Sequence, residues 1–344
     1  MRTNILAIET SCDETAVSVV QNGHKILSSI VASQIETHKL YGGVVPEIAS
    51  RKHIDNIVPV YLEAMKKSGL RPENIDGIAV TAGPGLIGSL LTGLSFAKAL
   101  SFGHGLPLIA VDHIVSHLYA AFLDRDNIEF PLIALIVSGG HTQLVYLKDH
   151  LDGIILGKTR DDAAGEAFDK IARRLGLGYP GGPQIEKVAL DGSDGVFEFP
   201  VAFSETDTLE FSYSGLKSSV INAIHNIEQK EKLVPISDIA YGFQKAVVSQ
   251  LIKNTLYAIE LYNVNNVILA GGVAANKLLR ESLKEELNRK DIELYYPEIK
   301  YCTDNAAMVG AAGYHYFKQN RYASLNVDAY AHNVQGGIFR YDHQ

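Results

Sequence analysis

An α/β fold in two similar halves, with a cleft between them lined by glycine loops, is predicted by two recurring patterns and by their order. An apolar run, a short polar loop bearing hydroxyls and a second β-rich run occupy 4–20, and the same pattern returns at 131–147. A buried-type strand, a glycine loop and a helix occupy 74–100, and a similar unit starts at 265. In each case the hairpin comes first and the strand-glycine-helix unit later, which is the signature of a diverged duplication. The 344 residues suit one large or two medium domains, and 47% hydrophobic with 20% charged residues is an ordinary globular composition.

Bulk properties exclude several classes of function. A formal net charge of -8 provides no global positive field for nucleic acid, so an RNA partner must be met by a local patch or through another protein. Two cysteines, Cys12 and Cys302, fit a reducing compartment without a disulfide framework. No apolar run approaches a membrane span, and the N-terminus offers no signal-peptide core, so a cytoplasmic location without membrane is expected.

Taken in order, the first hairpin carries at its tip Thr10-Ser11-Cys12-Asp13-Glu14-Thr15. Asp13 and Glu14 could touch a metal-bound water or a substrate amine, or be solvated turn residues. Gly42-Gly43 then leads into an amphipathic helix running to about Gly69, on which Glu47, Arg51 and His53 form either a polar cluster or plain surface charge. Residues 76–81 read as a strand, 82–88 as a glycine loop and 89–101 as a small-residue helix. Such a loop before a helix N-terminus suits an anion or a close backbone approach, but no G-K-[S/T] follows, so it is not a P-loop.

His113-Ile114-Val115-Ser116-His117 comes next, with apolar residues at 114, 115, 118, 121 and 122 predicting a core-facing helical stripe. On a helix the two imidazoles lie one turn apart on one face, the spacing that holds one metal ion between them. They could equally be ordinary surface or capping residues. A zinc protease of the H-E-x-x-H type is disfavoured, because Ile114 stands where its general base would be.

The second hairpin turns through Ser138-Gly139-Gly140-His141-Thr142. Asp169 falls on a probable helix continued by Ala172, Arg173 and Leu175. Pro180-Gly181-Gly182-Pro183 is a rigid turn against a flat ligand, or a connection between helices. Residues 211–217 open another helix. After a break at Pro235, a long amphipathic helix is expected with Ser237 at its N-cap. The second strand-glycine-helix unit ends in Gly271-Gly272-Val273-Ala274-Ala275-Asn276. A final alanine- and glycine-rich helix is expected with Thr303 or Asp304 as its N-cap.

These pieces together resemble the universal tRNA threonylcarbamoyladenosine transferase family, once labelled O-sialoglycoprotein endopeptidases. The resemblance spans essentially the whole chain. It is carried by Ile8 to Thr15, Gly43-Val44-Val45-Pro46-Glu47, Pro84-Gly85-Leu86, His113 to His117, Val137 to Gln143, Tyr179 to Pro183, Phe211 to Lys217, Gly271 to Asn276 and Cys302-Thr303-Asp304-Asn305. Ser138 to His141 is similar to the bacterial and organellar branch. Ile136 stands where archaeal and eukaryotic members tend to have Tyr.

The resemblance implies the actin/Hsp70/sugar-kinase fold, two duplicated ribonuclease-H-like halves around a nucleotide cleft. The halves are expected at 1–125 and 126–344, the second with a helical insertion at about 158–240. It further implies a metal, one Fe(II) with Zn(II) as the alternative, held by His113, His117 and Asp304. Val137, Ser138, Gly139, Gly140, His141, Asp169, Gly182, Glu186 and Asn276 would bind the nucleotide-bearing substrate, threonylcarbamoyl-AMP or an ATP-type nucleotide. Asp13, Glu14 and His141 are candidates to take the amine proton. The expected partners are tRNA, a non-catalytic paralogue (TsaB-type) and a small ATPase (TsaE-type). An ATP-dependent phosphotransferase or chaperone-like ATPase shares the fold and is the rival reading.

Overall fold

The computed structural model describes residues 2–204, 206–332 and 339–341. The backbone groups into two compact units. Residues 1–129, 149–153 and 296–340 form unit 1, and residues 130–148, 154–295 and 341–344 form unit 2.

In unit 1, β1 (Asn4–Glu9), β2 (Glu14–Gln21) and β3 (Lys25–Ser33) are followed by α1 (Ile35–Lys39) and α2 (Pro46–Ser68). Then come β4 (Gly77–Gly83), α3 (Ile87–His104), β5 (Leu108–Asp112) and α4 (His113–Tyr119). Unit 2 contains β6 (Leu132–Val137), β7 (Thr142–Asp149) and β8 (Asp152–Lys158), with the β7–β8 turn counted in unit 1. Four helices follow: α5 (Ala164–Arg174), α6 (Gly181–Ala189), α7 (Ser214–Glu228) and α8 (Ile236–Tyr262). β9 (Asn266–Ala270), α9 (Lys277–Asn288) and β10 (Glu293–Tyr295) complete it. The chain then returns to unit 1 as α10 (Ala306–Lys318), and β11 (Arg340–Tyr341) follows.

The duplication is plain in the sheets. The first has the order β3-β2-β1-β4-β5, and the second β10-β9-β6-β7-β8-β11. Read from the other edge, β8-β7-β6-β9-β10 is the same succession of elements. In both, the opening hairpin is antiparallel (β1 with β2, β6 with β7) and its first strand pairs parallel with the later strand-glycine strand (β4 and β9). All six residues of β1 and of β6 are buried, as central strands covered on both faces require.

The expected halves differ from these units chiefly at residues 296–340, which belong to unit 1. The reason lies in α10. Gly310 lies against Val20 and Ala7, and Gly313 against Ala79, so closely that a Cβ at Gly313 would stand 2.6 Å from that of Ala79. Glycines there let the helix backbone lie flat on the first sheet. Two expected caps are also corrected. The helix at 236 begins one residue before Ser237, with Pro235 at the N-cap and no side-chain cap hydrogen bond. The cap of α10 is Asn305, whose side chain accepts from the Met308 N–H, so neither Thr303 nor Asp304 is used for capping. Likewise Gly181-Gly182-Pro183 is the first turn of α6 rather than a free turn.

Among the described residues, no helix is long and apolar enough to cross a membrane.

Candidate functional site

In unit 1, β1, β4 and β5 run parallel, and their carboxyl ends gather Glu9, Thr81 and His113 on one edge of the sheet. That edge is where open α/β sheets place ligands. Asp112 closes β5 and caps α4, accepting from the Ile114 and Val115 N–H groups, which starts the helix at His113 and fixes both imidazoles on it. The rings meet edge to face with centroids 4.7 Å apart. Asp304, immediately before the cap of α10, brings its Oδ1 to 3.2 Å from His117 Nε2 and 3.6 Å from His113 Nε2.

These three side chains are the only group of three or more such donors that converge among the described residues, with their donor atoms within 4.8 Å of one another. Two ligands each about 2.1 Å from one ion stand roughly 3–3.5 Å apart, so the spacing suits a shared cation. A second observation agrees: His117 Nδ1 is buried without a hydrogen-bond partner, so no neighbour draws that ring away from Asp304. Two imidazoles and one carboxylate suit Fe(II) or Zn(II).

The surrounding shell is polar and mostly buried. Glu9 accepts from the Ser11 N–H at 2.5 Å and the Thr81 hydroxyl at 2.5 Å, and its Oε2 lies 3.2 Å from His113 Nδ1. Ser11 Oγ is 3.1 Å from the same nitrogen. Burial works against a charged His113, but Asp304 and Glu9 outweigh it and raise its pKa to about 9. Burial likewise opposes ionisation of Glu9, and His113 prevails and lowers its pKa.

The hairpin loop is not a solvated turn. Asp13 and Glu14 are 6% and 9% exposed, because α2 covers them. His53 on that helix bridges Thr15 Oγ1 at 2.8 Å and the Cys12 carbonyl at 2.9 Å, which pins the loop. Burial, then Asp13 and Asp304, push the Glu14 carboxyl up to about 9, so it is protonated at neutral pH and receives the Ser33 hydroxyl. Cys12 is kept as a thiol by burial and the same acids.

In unit 2 the predicted nucleotide residues fall into three linked places. The loop after β6 is closed by Ser138 N–H to the His141 carbonyl (2.8 Å) and His141 N–H to Ser138 Oγ (3.2 Å), leaving Gly139 and Gly140 exposed at its tip. Val137 is fully buried behind it, against Gly271. Asp169 on α5 accepts from the Gly181 N–H at 2.7 Å, next to Gly182, whose Cα faces open space. Burial raises the Asp169 carboxyl despite that bond. Glu186 on α6 accepts from the Lys277 N–H at 2.6 Å, and Asn276 caps the same helix, α9, by accepting from Leu279 and donating to Gln244. Glu186 thus already meets a positive helix end, and Asn276 is already engaged in the fold.

Sequence reasoning did not single out Glu9 as a member of the site, nor Ser11 or Thr81. One signal existed: Glu9 is the only charged residue of a buried strand that is apolar apart from Asn4, and a buried charge implies a partner.

A family model described as TsaD, tRNA N6-adenosine threonylcarbamoyltransferase, matches residues 25–311. The chain belongs to the TsaD family. The relative from Staphylococcus saprophyticus, named tRNA N6-adenosine threonylcarbamoyltransferase, is 52% identical over 330 residues, 96% of this chain and 96% of that protein. The relative of the same name from Staphylococcus carnosus is 51% identical over 329 residues, 96% of this chain and 95% of that protein. Among solved structures, HypF from T. kodakarensis superimposes with a TM-score of 0.64 at 17% identity, over 94% of this TsaD-family chain and 49% of HypF. The activator of 2-hydroxyisocaproyl-CoA dehydratase from Clostridium difficile gives 0.53 at 15% identity, over 93% of this chain and 97% of that one. These likenesses establish the fold alone, and it is the actin/Hsp70/sugar-kinase one that the sequence implied.

Proposed function

We propose that the chain transfers the threonylcarbamoyl group from threonylcarbamoyl-AMP to N6 of the adenosine adjacent to the anticodon in tRNA, releasing AMP. The observation that carries this reading is 52% identity across 96% of both chains to a protein bearing that name. Conversion of the family's activity into this chain's chemistry rests on its own residues. His113, His117 and Asp304 would hold one Fe(II) or Zn(II) per subunit. When bound, such an ion supplies Lewis-acid polarisation of a carbonyl or phosphoryl oxygen.

The reacting bonds balance simply. The N6 amine forms a bond to the carbamoyl carbon, the bond from that carbon to the phosphate oxygen breaks, and AMP leaves with the electron pair. The amine must lose a proton, and Asp13 is the acceptor we assign in unit 1. Its neighbour Glu14 is held protonated by burial and the nearby acids, which leaves it no capacity to take that proton. His141 is the alternative acceptor, in unit 2. The loop of Val137, Ser138, Gly139, Gly140 and His141, closed on itself so that the Gly139 and Gly140 backbone lies at its tip, would bind the adenylate together with Asp169, Gly182 and Asn276. Glu186 would act through Lys277 and the end of α9. An anticodon loop presents its base unpaired, as the attack requires.

The acidic balance of the chain supports tRNA affinity shared with partners, for which the non-catalytic paralogue (TsaB-type) and the small ATPase (TsaE-type) are the candidates, in the cytoplasm. Nucleoside mass spectrometry of tRNA from cells depleted of this chain tests the function. Loss of threonylcarbamoyladenosine, restored by re-expression, is expected. Unchanged modification would move an ATPase of the same fold to the front.

Metal uptake should depend on pH in a stated direction. Without metal, His113 holds its proton up to about pH 9. The charged pairs it makes stabilise the metal-free fold fully below about pH 6.5, the unfolded value, and that contribution fades as pH rises through about 9. The ion must displace this proton, so zinc affinity measured by chelator competition should rise up to about tenfold per pH unit between roughly 6.5 and 8.5. A flat profile would mean that binding displaces no proton from His113 in this range.

A further inference from the structure

We infer that Glu9 is the positioning residue of the metal centre: its carboxylate holds the His113 ring with Nδ1–H turned inward and Nε2 presented beside Asp304. The inference rests on the metal reading of His113, His117 and Asp304 and adds what makes one of those imidazoles ready to bind.

Glu9 is fully buried at the end of β1, and each of its oxygens has a fixed role. Oε1 takes the Ser11 N–H, while Oε2 takes the Thr81 hydroxyl and faces His113 Nδ1. An ionised carboxylate only accepts, so the ring nitrogen facing it must carry hydrogen. The other nitrogen, Nε2, is then the one with a lone pair once the ring is neutral, and it is the nitrogen 3.6 Å from Asp304. Metal-bound imidazoles are commonly oriented in this way by a carboxylate on the far nitrogen.

His117 provides the internal contrast. Its Nε2 is 3.2 Å from Asp304, but its Nδ1 is buried with no partner, so no side chain dictates which of its nitrogens holds the proton. The two imidazoles of the site are therefore unequal: one is oriented from behind by a charge and the other by packing alone. A purely structural role for Glu9 explains the bonds to Ser11 and Thr81. It does not explain a buried carboxylate aimed at an imidazole nitrogen from a strand that is apolar apart from Asn4, where an acid costs free energy unless a partner faces it.

Glutamine at this position separates the two roles. If its amide NH2 faces His113, Nδ1 must become the acceptor and Nε2 the protonated nitrogen, which blocks ligation. If its NH2 takes the other place, it confronts the Ser11 N–H, donor against donor.

The test uses the full chain loaded with zinc, with and without Glu9→Gln. Chelator competition should show the variant binding zinc about 10–100-fold more weakly than wild type. Nitrogen-15 spectra of the imidazoles in zinc-loaded wild type should show His113 with zinc on Nε2 and a slowly exchanging proton on Nδ1. A folded variant with unchanged zinc affinity would overturn the inference. So would a wild-type spectrum with zinc on Nδ1, and this second reading decides the matter even if the variant does not fold. Wild type that takes up no zinc at all would instead overturn the metal reading, and the role of Glu9 with it.

Discussion

Asp304→Ala is expected to abolish threonylcarbamoyl transfer while leaving the chain folded. The carboxylate is the only anionic donor of the three, and its removal leaves two neutral or singly protonated imidazoles with little hold on a divalent ion. Loss of Lewis-acid assistance worth several kcal/mol corresponds to a rate decrease of at least about 10³-fold. The fold should survive because the neighbouring Asn305, not Asp304, caps α10. Asp304 is also 19% exposed, so its loss opens no cavity in the core. Expression of the variant in depleted cells, followed by nucleoside mass spectrometry, should fail to restore the modification, and its melting should stay cooperative, a few degrees below metal-free wild type through the lost pairing with His113 and His117. Asn305→Ala is the contrasting change. It keeps the ligand but loses the cap and the bonds its amide donates to the Tyr301 and Thr303 carbonyls, and should cost about 1–3 kcal/mol. Full rescue by Asp304→Ala would remove the metal from the mechanism while leaving the pathway assignment intact.

Gly271→Ala is expected to destabilise unit 2 strongly. Gly271 has φ of 91° and ψ of 171°, a region essentially reserved for glycine. A Cβ there would stand 2.4 Å from the Val137 carbonyl oxygen and 2.7 Å from its carbon. Both atoms belong to the backbone of the central strand β6, so neither can swing aside. Strain and displacement together should cost about 3–5 kcal/mol. For a unit of this size that is a fall of roughly 10 °C or more in melting temperature. The loop at 138–141 would move with Val137. Gly272→Ala, next in sequence, has open space around its Cα and should be nearly neutral. Equal melting curves for the two variants would refute the close approach.

The contrast between these positions shows what the sequence could and could not disclose. Hairpin and strand-glycine-helix patterns recur because each half must bury a central strand on both faces, and that requirement is written directly into β1, β4, β6 and β9. The pair His113 and His117 was legible because helical periodicity alone aligns them. Asp304 was not legible from local pattern, since an acid before an alanine-rich helix reads as a cap. Only the family resemblance made it a ligand. Asp13 and Glu14 were equally ambiguous, and their burial depends on α2, over thirty positions away in sequence, folding over the loop. Glu9 was missed for a related reason. Its partners Thr81 and His113 come from β4 and from the start of α4, just past β5, and strand order is a property of the whole sheet that no local window contains.

The placement of α10 has a consequence for the newborn chain. Residues 130–148 and 154–295 of the second unit are synthesised between the two stretches that make up most of the first. The surface formed by Ala7, Val20 and Ala79 receives its cover only when Gly310 and Gly313 leave the ribosome, about 190 residues after His117. At a translation rate of about 5–20 residues per second, that interval lasts roughly 10–40 s. During it the apolar face that α10 covers has no partner, and His113 and His117 have been made while Asp304 has not. On the proposed metal reading, an ion captured in that interval would have only imidazoles to hold it, and a chain truncated before residue 304 would lack both the cover and the third donor.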